Sequence, residues 1–186
     1  MRCGKSTQAA LLSAQLALPR ASIDAVAWDY YRADGLDRAY ADRLAAKEGE
    51  LACYRYFESF LVSALQRHMR AQTGAIIDLG AGHTVSSRPE DPPRVRALLA
   101  PYRHVVLLLP SPDLEVCSAI LRERTAGIPW LQAIRDHSGL DLNDWFLRQP
   151  DNFALATHTV YTHGRTPRQT CQDIVQCIGA CPVPLG

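Results

Sequence analysis

The chain has 186 residues, is 47% hydrophobic and 21% charged, and carries a net charge of +1. These values fit one soluble globular domain with a real core. They give no electrostatic case for nucleic acid or a membrane surface, and no apolar run is long enough to span a bilayer. No signal peptide is expected, because Lys5 and Gln8 interrupt the start. Six Cys, at positions 3, 53, 117, 171, 177 and 181, form no C-x-x-C pair. They read as reduced thiols of a cytoplasmic protein rather than zinc ligands. The six His stand alone, without H-E-x-x-H spacing, and read as surface or core residues.

Taken in chain order, Gly4-Lys5-Ser6-Thr7 comes first. It matches the second half of the phosphate-binding loop G-x-x-x-x-G-K-[ST], in which backbone N–H groups wrap phosphates, Lys neutralises them and Ser ligates Mg²⁺. A helix follows from Ser6 to about Ala17, stopped by Pro19. Ala21 to Asp24 reads as a short strand ending in an acid. Leu51, Tyr54, Phe57, Leu61, Leu65 and Met69 repeat at helical spacing and predict a long helix from Glu50 to about Ala71. Ala75 to Asp78 is a second strand ending in an acid, followed by a tight turn at Gly80-Ala81-Gly82.

A Pro-rich loop over 86–93 leads to a short helix carrying Val95, Leu98 and Leu99. Val105 to Leu109 is uninterrupted and apolar, as in a strand covered on both faces. Ser111-Pro112-Asp113 opens the next helix, with Ser111 as the cap. Thr125 to Gly139 is less regular, and Asp141 to Arg148 is a short helix ended by Pro150. Thr159 to Thr162 is a fourth strand. Thr166 to Gln169 forms a capping box before a last helix closed by Gly179, and the tail from Cys181 to Gly186 is loose. Strands alternate with helices, so the class is α/β with a parallel sheet, in one domain over 1–186.

Several residues carry chemistry. Lys5 would hold phosphates, Ser6 the Mg²⁺, and Gly4 lets the backbone approach closely. Asp78 has the pattern of a strand acid that positions Mg²⁺ or its water, or of a turn acid. Asp24 would lie at the same sheet end, where open α/β sheets bind ligands, as a second Mg²⁺ contact or as the base for a hydroxyl proton. Arg55 and Glu58 share a helix face and read as a surface ion pair. Arg122, Arg124 and Arg148 are either solvated charge or phosphate contacts on a mobile segment.

In their order these motifs resemble the shikimate kinase branch of the nucleoside-monophosphate-kinase-like P-loop fold. The resemblance rests on Gly4 to Thr7, a strand acid, Tyr54-Arg55-x-x-Glu58, Gly80-Ala81-Gly82, Arg122 and Arg124, Arg148-x-Pro150 and the final Thr-Pro helix. It implies a three-layer sandwich with strand order 2-3-1-4-5 and a lid over about 125–157. It implies ATP and Mg²⁺ as cofactors, with Gly4, Lys5, Ser6, Thr7, Arg122 and Arg124 at the nucleotide and Ser6, Asp24 and Asp78 at the metal. It implies Lys5, Asp24 and Arg148 as catalytic residues, and Asp29, Arg55, Gly80, Gly82 and Arg148 at a small-molecule hydroxyl acceptor. No nucleic acid or membrane partner is implied, and the protein is expected as a monomer or weak homodimer.

Departures from the pattern bear on the acceptor. Where the family has Asp-x-Asp, Asp24 is followed by Val26, and Asp29, on a longer loop after Trp28, is the expected replacement. These changes fit an acceptor other than shikimate. The family's first strand and the first Gly of its loop fall before Met1, so an upstream natural start is expected. Unpaired backbone along that gap would cost on the order of 1–3 kcal/mol per group. Two rival readings stay open: a nucleotide-binding module without efficient transfer, and a shortened product without a stable site. ATP and GTP are not distinguished.

Overall fold

The computed structural model describes residues 2–180; Met1 and the tail over 181–186 lie outside them. Four short strands alternate with helices: β1 (Arg20–Ser22), β2 (Ile76–Asp78), β3 (Val106–Leu109) and β4 (His158–Tyr161). β1 pairs with β2 and β3 with β4, both in parallel. Parallel partners need a long crossover, and the intervening helices supply it. The class is α/β, as the sequence predicts, but the expected single sheet is two pairs, with no strand joining them among the described residues.

Between the pairs lies a cavity of about 430 Å³, lined by Ile76 and Ile77 of β2, Val106 and Leu108 of β3, and Leu12 and Ile174 from flanking helices.

α1 (Lys5–Leu16) runs from the half loop and ends at Ala17, whose left-handed φ of 52° turns the chain into β1. β1 stops at Ser22, so Asp24 does not end a strand. It sits in the first turn of α2 (Ile23–Ala33). Residues 28–31, expected on a loop, also belong to α2, whose buried Ile23, Ala27 and Tyr31 recur every four residues. α3 (Arg38–Glu48) has no counterpart in the sequence reading. The Asp37 carboxylate caps it by accepting from the Tyr40 N–H. Gly49, at φ 90°, then breaks α3 from α4 (Glu50–Ala71), the long helix predicted.

α4 is the backbone of one core. Its Leu61, Leu65 and Met69 pack with Ile23 and Tyr31 of α2 and with Val95 and Leu99 of α5 (Asp91–Leu99). Each such side chain, fully buried, contributes about 1.5–3 kcal/mol. A second core joins α1, β3 and β4 to α6 (Leu114–Thr125) and α10 (Pro167–Cys177) through Leu12, Leu108, Leu121, Val160 and Ile174.

Other boundaries differ from expectation for local reasons. Asp113, not Ser111, caps α6, accepting from the N–H groups of Glu115 and Val116. Pro129 opens α7 (Pro129–Ser138) inside the stretch read as irregular, and its Leu131 and Ile134 are buried. Pro150 follows α8 (Leu142–Leu147) but also starts α9 (Pro150–Leu155). The capping box at Thr166 and Gln169 forms as predicted.

Candidate functional site

Gly4 is the N-cap of α1 at φ 87° and ψ 11°, a left-handed geometry that favours glycine. The cap residue is a glycine, so it offers no side-chain acceptor of its own to the first turn of α1. Ser6 and Thr7 are exposed, and Lys5 is half-buried at the cavity that Asp78 also lines. Arg124 reaches this end of α1: its Nη1–H donates to the Arg2 carbonyl at 3.1 Å.

Asp78 is 4% exposed. Its Oδ2 accepts from Arg20 Nη2 at 3.0 Å, while Oδ1 is buried without a partner. One oxygen is therefore held by the neighbouring strand and one remains for another group. Ser22 pairs in register with Asp78, and Asp24 follows two residues on, so both acids lie at the same end of the β1–β2 pair. Helical placement does not remove Asp24 from the site.

Gly80 has an ordinary extended backbone, φ −71° and ψ 150°. Its small size serves space instead. A Cβ there would meet His83 Nδ1 at 3.0 Å and Asp24 Oδ1 at 3.1 Å. A Cβ on Gly82 would meet Leu61 at 3.4 Å, Tyr54 Oη at 3.8 Å and Phe146 at 3.9 Å. The turn is thus wedged between α2, α4 and α8.

The sequence reading passed over His83. It is 5% exposed, and its Nε2 is hydrogen-bonded to Tyr31 Oη at 3.0 Å. Its Nδ1 is buried without a partner. Burial holds its pKa down at about 4, although the nearby Asp24 charge pulls upward, so the ring is neutral at pH 7. Burial, then the Asp24 charge, pushes Tyr31 up to about 12, so it keeps its proton. One sequence signal was available: His83 directly follows the glycine turn already assigned to a ligand.

Four predicted residues are not gathered here. Asp29 is exposed and paired with Arg32 at 2.6 Å. It lies five residues from Asp24 on the same helix, about 140° around the axis. Arg55 is exposed, and its expected partner Glu58 is instead 1% exposed, accepting from Ser87 N–H at 3.0 Å and Ser87 Oγ–H at 2.5 Å. Arg122 pairs with Asp141 at 3.2 Å. Arg148 pairs with Asp144 at 2.8 Å and Glu115 at 2.7 Å. In place of these arginines, Asn152 ties the segment after α8 to the turn: its Oδ1 accepts from Thr84 Oγ1–H at 3.1 Å and its Nδ2–H donates to the Phe146 carbonyl at 2.8 Å.

For a metal, the described residues hold no cluster of three or more His, Cys, Asp or Glu. Mg²⁺ characteristically takes one or two carboxylates together with substrate phosphates and water. The orphaned Asp78 Oδ1 is a carboxylate oxygen of that kind.

No model of a known protein family matches the sequence, and no curated protein matches it. Solved structures do match the fold. One is a shikimate kinase from Acinetobacter baumannii in complex with shikimate, with a TM-score of 0.59 at 20% identity, covering 95% of this chain and 87% of that one. The α/β architecture is similar to that of this shikimate kinase.

Proposed function

We propose that this protein is an ATP- and Mg²⁺-dependent small-molecule kinase that moves the γ-phosphoryl group onto an acceptor hydroxyl. The observation that carries the reading is the start of α1 and what lies around it. Left-handed Gly4 leads into Lys5, at a cavity shared with Asp78, beside a turn faced by Asp24. First-turn amides and the positive end of the helix favour an anion there. Lys5 neutralises the phosphates, and Arg124 is the arginine at hand. Mg²⁺, held by Ser6, Asp24 and Asp78 Oδ1, would offset developing charge on the transferred group. Asp24 orients the acceptor hydroxyl, and the rest is positioning.

The acceptor is a small hydroxylated molecule. The neighbouring structure holds shikimate, and Val26 in place of the second acid favours a different acceptor here. Residues 125–157 serve as the lid, with Asn152 as its tie to the turn and Arg148 released from its pairs on closure. We place the protein in the cytoplasm.

Calorimetric titration of Mg·ATP tests the reading, with Lys5→Ala as control. Micromolar binding, lost in the control, supports it; a folded wild-type chain that binds nothing overturns it. A second reading, nucleotide binding without efficient transfer, is favoured by the ion pairs that occupy Arg122 and Arg148. ATP consumption that depends on an added acceptor separates the two.

A further inference from the structure

Besides Asp78 Oδ1, His83 Nδ1 is a buried polar atom at this site without a hydrogen-bond partner. Tyr31 keeps its proton and can donate it to Nε2 at 3.0 Å. A neutral ring that accepts at Nε2 carries its own proton on Nδ1. The Gly80 carbonyl lies beside the ring, and a carboxylate would be the stronger, charge-assisted acceptor for that N–H. Asp24 is a carboxylate that faces it: Asp24 Oδ1 and His83 Nδ1 lie 3.1 and 3.0 Å from the position a Cβ on Gly80 would take, across that space and without a hydrogen bond between them here. Glycine at position 80 has no backbone reason at φ −71°, so its role is to leave that point open.

We propose that His83 is a positioning residue whose Nδ1–H donates to the Asp24 carboxylate and holds it toward the acceptor hydroxyl, with Tyr31 fixing the ring from the other side. The acceptor part rests on the kinase reading; the pairing of His83 with Asp24 does not. In the transfer, a P–O bond forms to the acceptor oxygen and the bond from the γ-phosphorus to ADP breaks. The hydroxyl proton passes to Asp24. A carboxylate free to swing on the exposed first turn of α2 would lose the near-attack geometry that this step needs.

Two variants separate positioning from packing. In His83→Asn the amide lies near the former Nδ1; in His83→Gln it lies near the former Nε2. A purely structural histidine would be replaced better by Gln, which keeps more volume and the Tyr31 bond. The proposal expects opposite orders: His83→Gln is the more stable, while His83→Asn keeps the higher kcat with Mg·ATP and shikimate as the probe acceptor. His83→Gln should fall by about tenfold or more in kcat with KM for Mg·ATP unchanged. Rates that follow the stability order overturn it.

A second measurement needs no turnover. Long-range ¹⁵N–¹H spectra of the wild-type chain should show His83 protonated on Nδ1, with that proton lost to fast exchange in Asp24→Ala. A ring protonated on Nε2, or an Nδ1 proton indifferent to Asp24→Ala, overturns the pairing. Should the wild-type chain show no Mg·ATP turnover with shikimate, these spectra decide the pairing alone. Absence of Mg·ATP binding counts against the kinase reading separately.

Discussion

Arg20 reaches across from β1 to Asp78 at the end of β2, its Nη2 lying 3.0 Å from an oxygen of a carboxylate that is almost wholly buried. Removing one member of a buried pair costs about 3–5 kcal/mol, because the other charge stays unpaired. Arg20 is itself one-third exposed, so water reaches the pair and lowers the figure. Arg20→Ala should destabilise by about 2 kcal/mol in urea unfolding, and Arg20→Ala combined with Asp78→Asn should recover part of that loss. Equal losses in the single and double variants would show that the pair does not carry the effect.

Glu58 makes a sharper case. Both carboxylate oxygens are used, by Ser87 N–H and Ser87 Oγ–H, and the residue is 1% exposed. Glu58→Ala takes the acceptor from the Ser87 N–H and Oγ–H, on an exposed residue that water can reach, and opens a cavity at α4 where Glu58 was buried. A loss of about 3 kcal/mol is expected by thermal or urea unfolding, against less than about 1 kcal/mol for Arg55→Ala on the exposed face.

The two glycines of the site should respond differently to alanine. Gly4→Ala places a Cβ at φ 87° with nothing within 4 Å, so the cost is backbone strain of about 1 kcal/mol and the fold survives. Gly80→Ala is unstrained but pushes a methyl between His83 and Asp24. Its expected signature is a changed His83 ring environment in NMR, with a stability loss of about 1–3 kcal/mol. A His83 spectrum that does not change in Gly80→Ala would contradict the geometry.

Stability should depend on pH through His83. Its folded value of about 4 lies below the ordinary 6.5, so the unfolded chain binds the proton more readily. Stability is therefore full above about pH 6.5 and is lost progressively as pH falls toward 4, by about 3 kcal/mol in total. Burial lowers His68 in the same direction, so the comparison must be with His83→Gln. That variant should show a shallower fall between pH 6.5 and 4 in urea unfolding; an unchanged slope would count against a neutral buried ring.

The parts of the fold visible in the sequence are those with local signals. α4 announced itself by apolar residues at helical spacing, and α10 by Thr166 and Gln169 at its cap. α3 had no such stripe: among its residues only Ala41 is buried, and the helix rests on the Asp37 cap and on Tyr40 packed edge-on against Tyr56 of α4. The strand ending at Asp24 was misjudged because Ile23 begins a helical repeat with Ala27 and Tyr31, a period visible only if the run is read onward. Lys5 and Asp78, which line one cavity, and Asp24, which faces Gly80, were singled out by motif and position. His83 was not, since its meaning depends on Tyr31, 52 residues earlier in the chain. Arg122 and Arg148 were placed at ligands, but in this structure carboxylates at Asp141, Asp144 and Glu115 hold them, and sequence spacing does not show that competition.

The split between β2 and β3 has a consequence for how the molecule comes apart. In an unbroken sheet, strand hydrogen bonds tie both sides of a domain into one cooperative unit. Here α2, α4 and α5 form one core, and α1, β3, β4 and α10 another, with a cavity where the ladder would continue. Amide hydrogen exchange should resolve two opening units of different free energy, one centred on Leu65 and one on Ile174, rather than a single global transition.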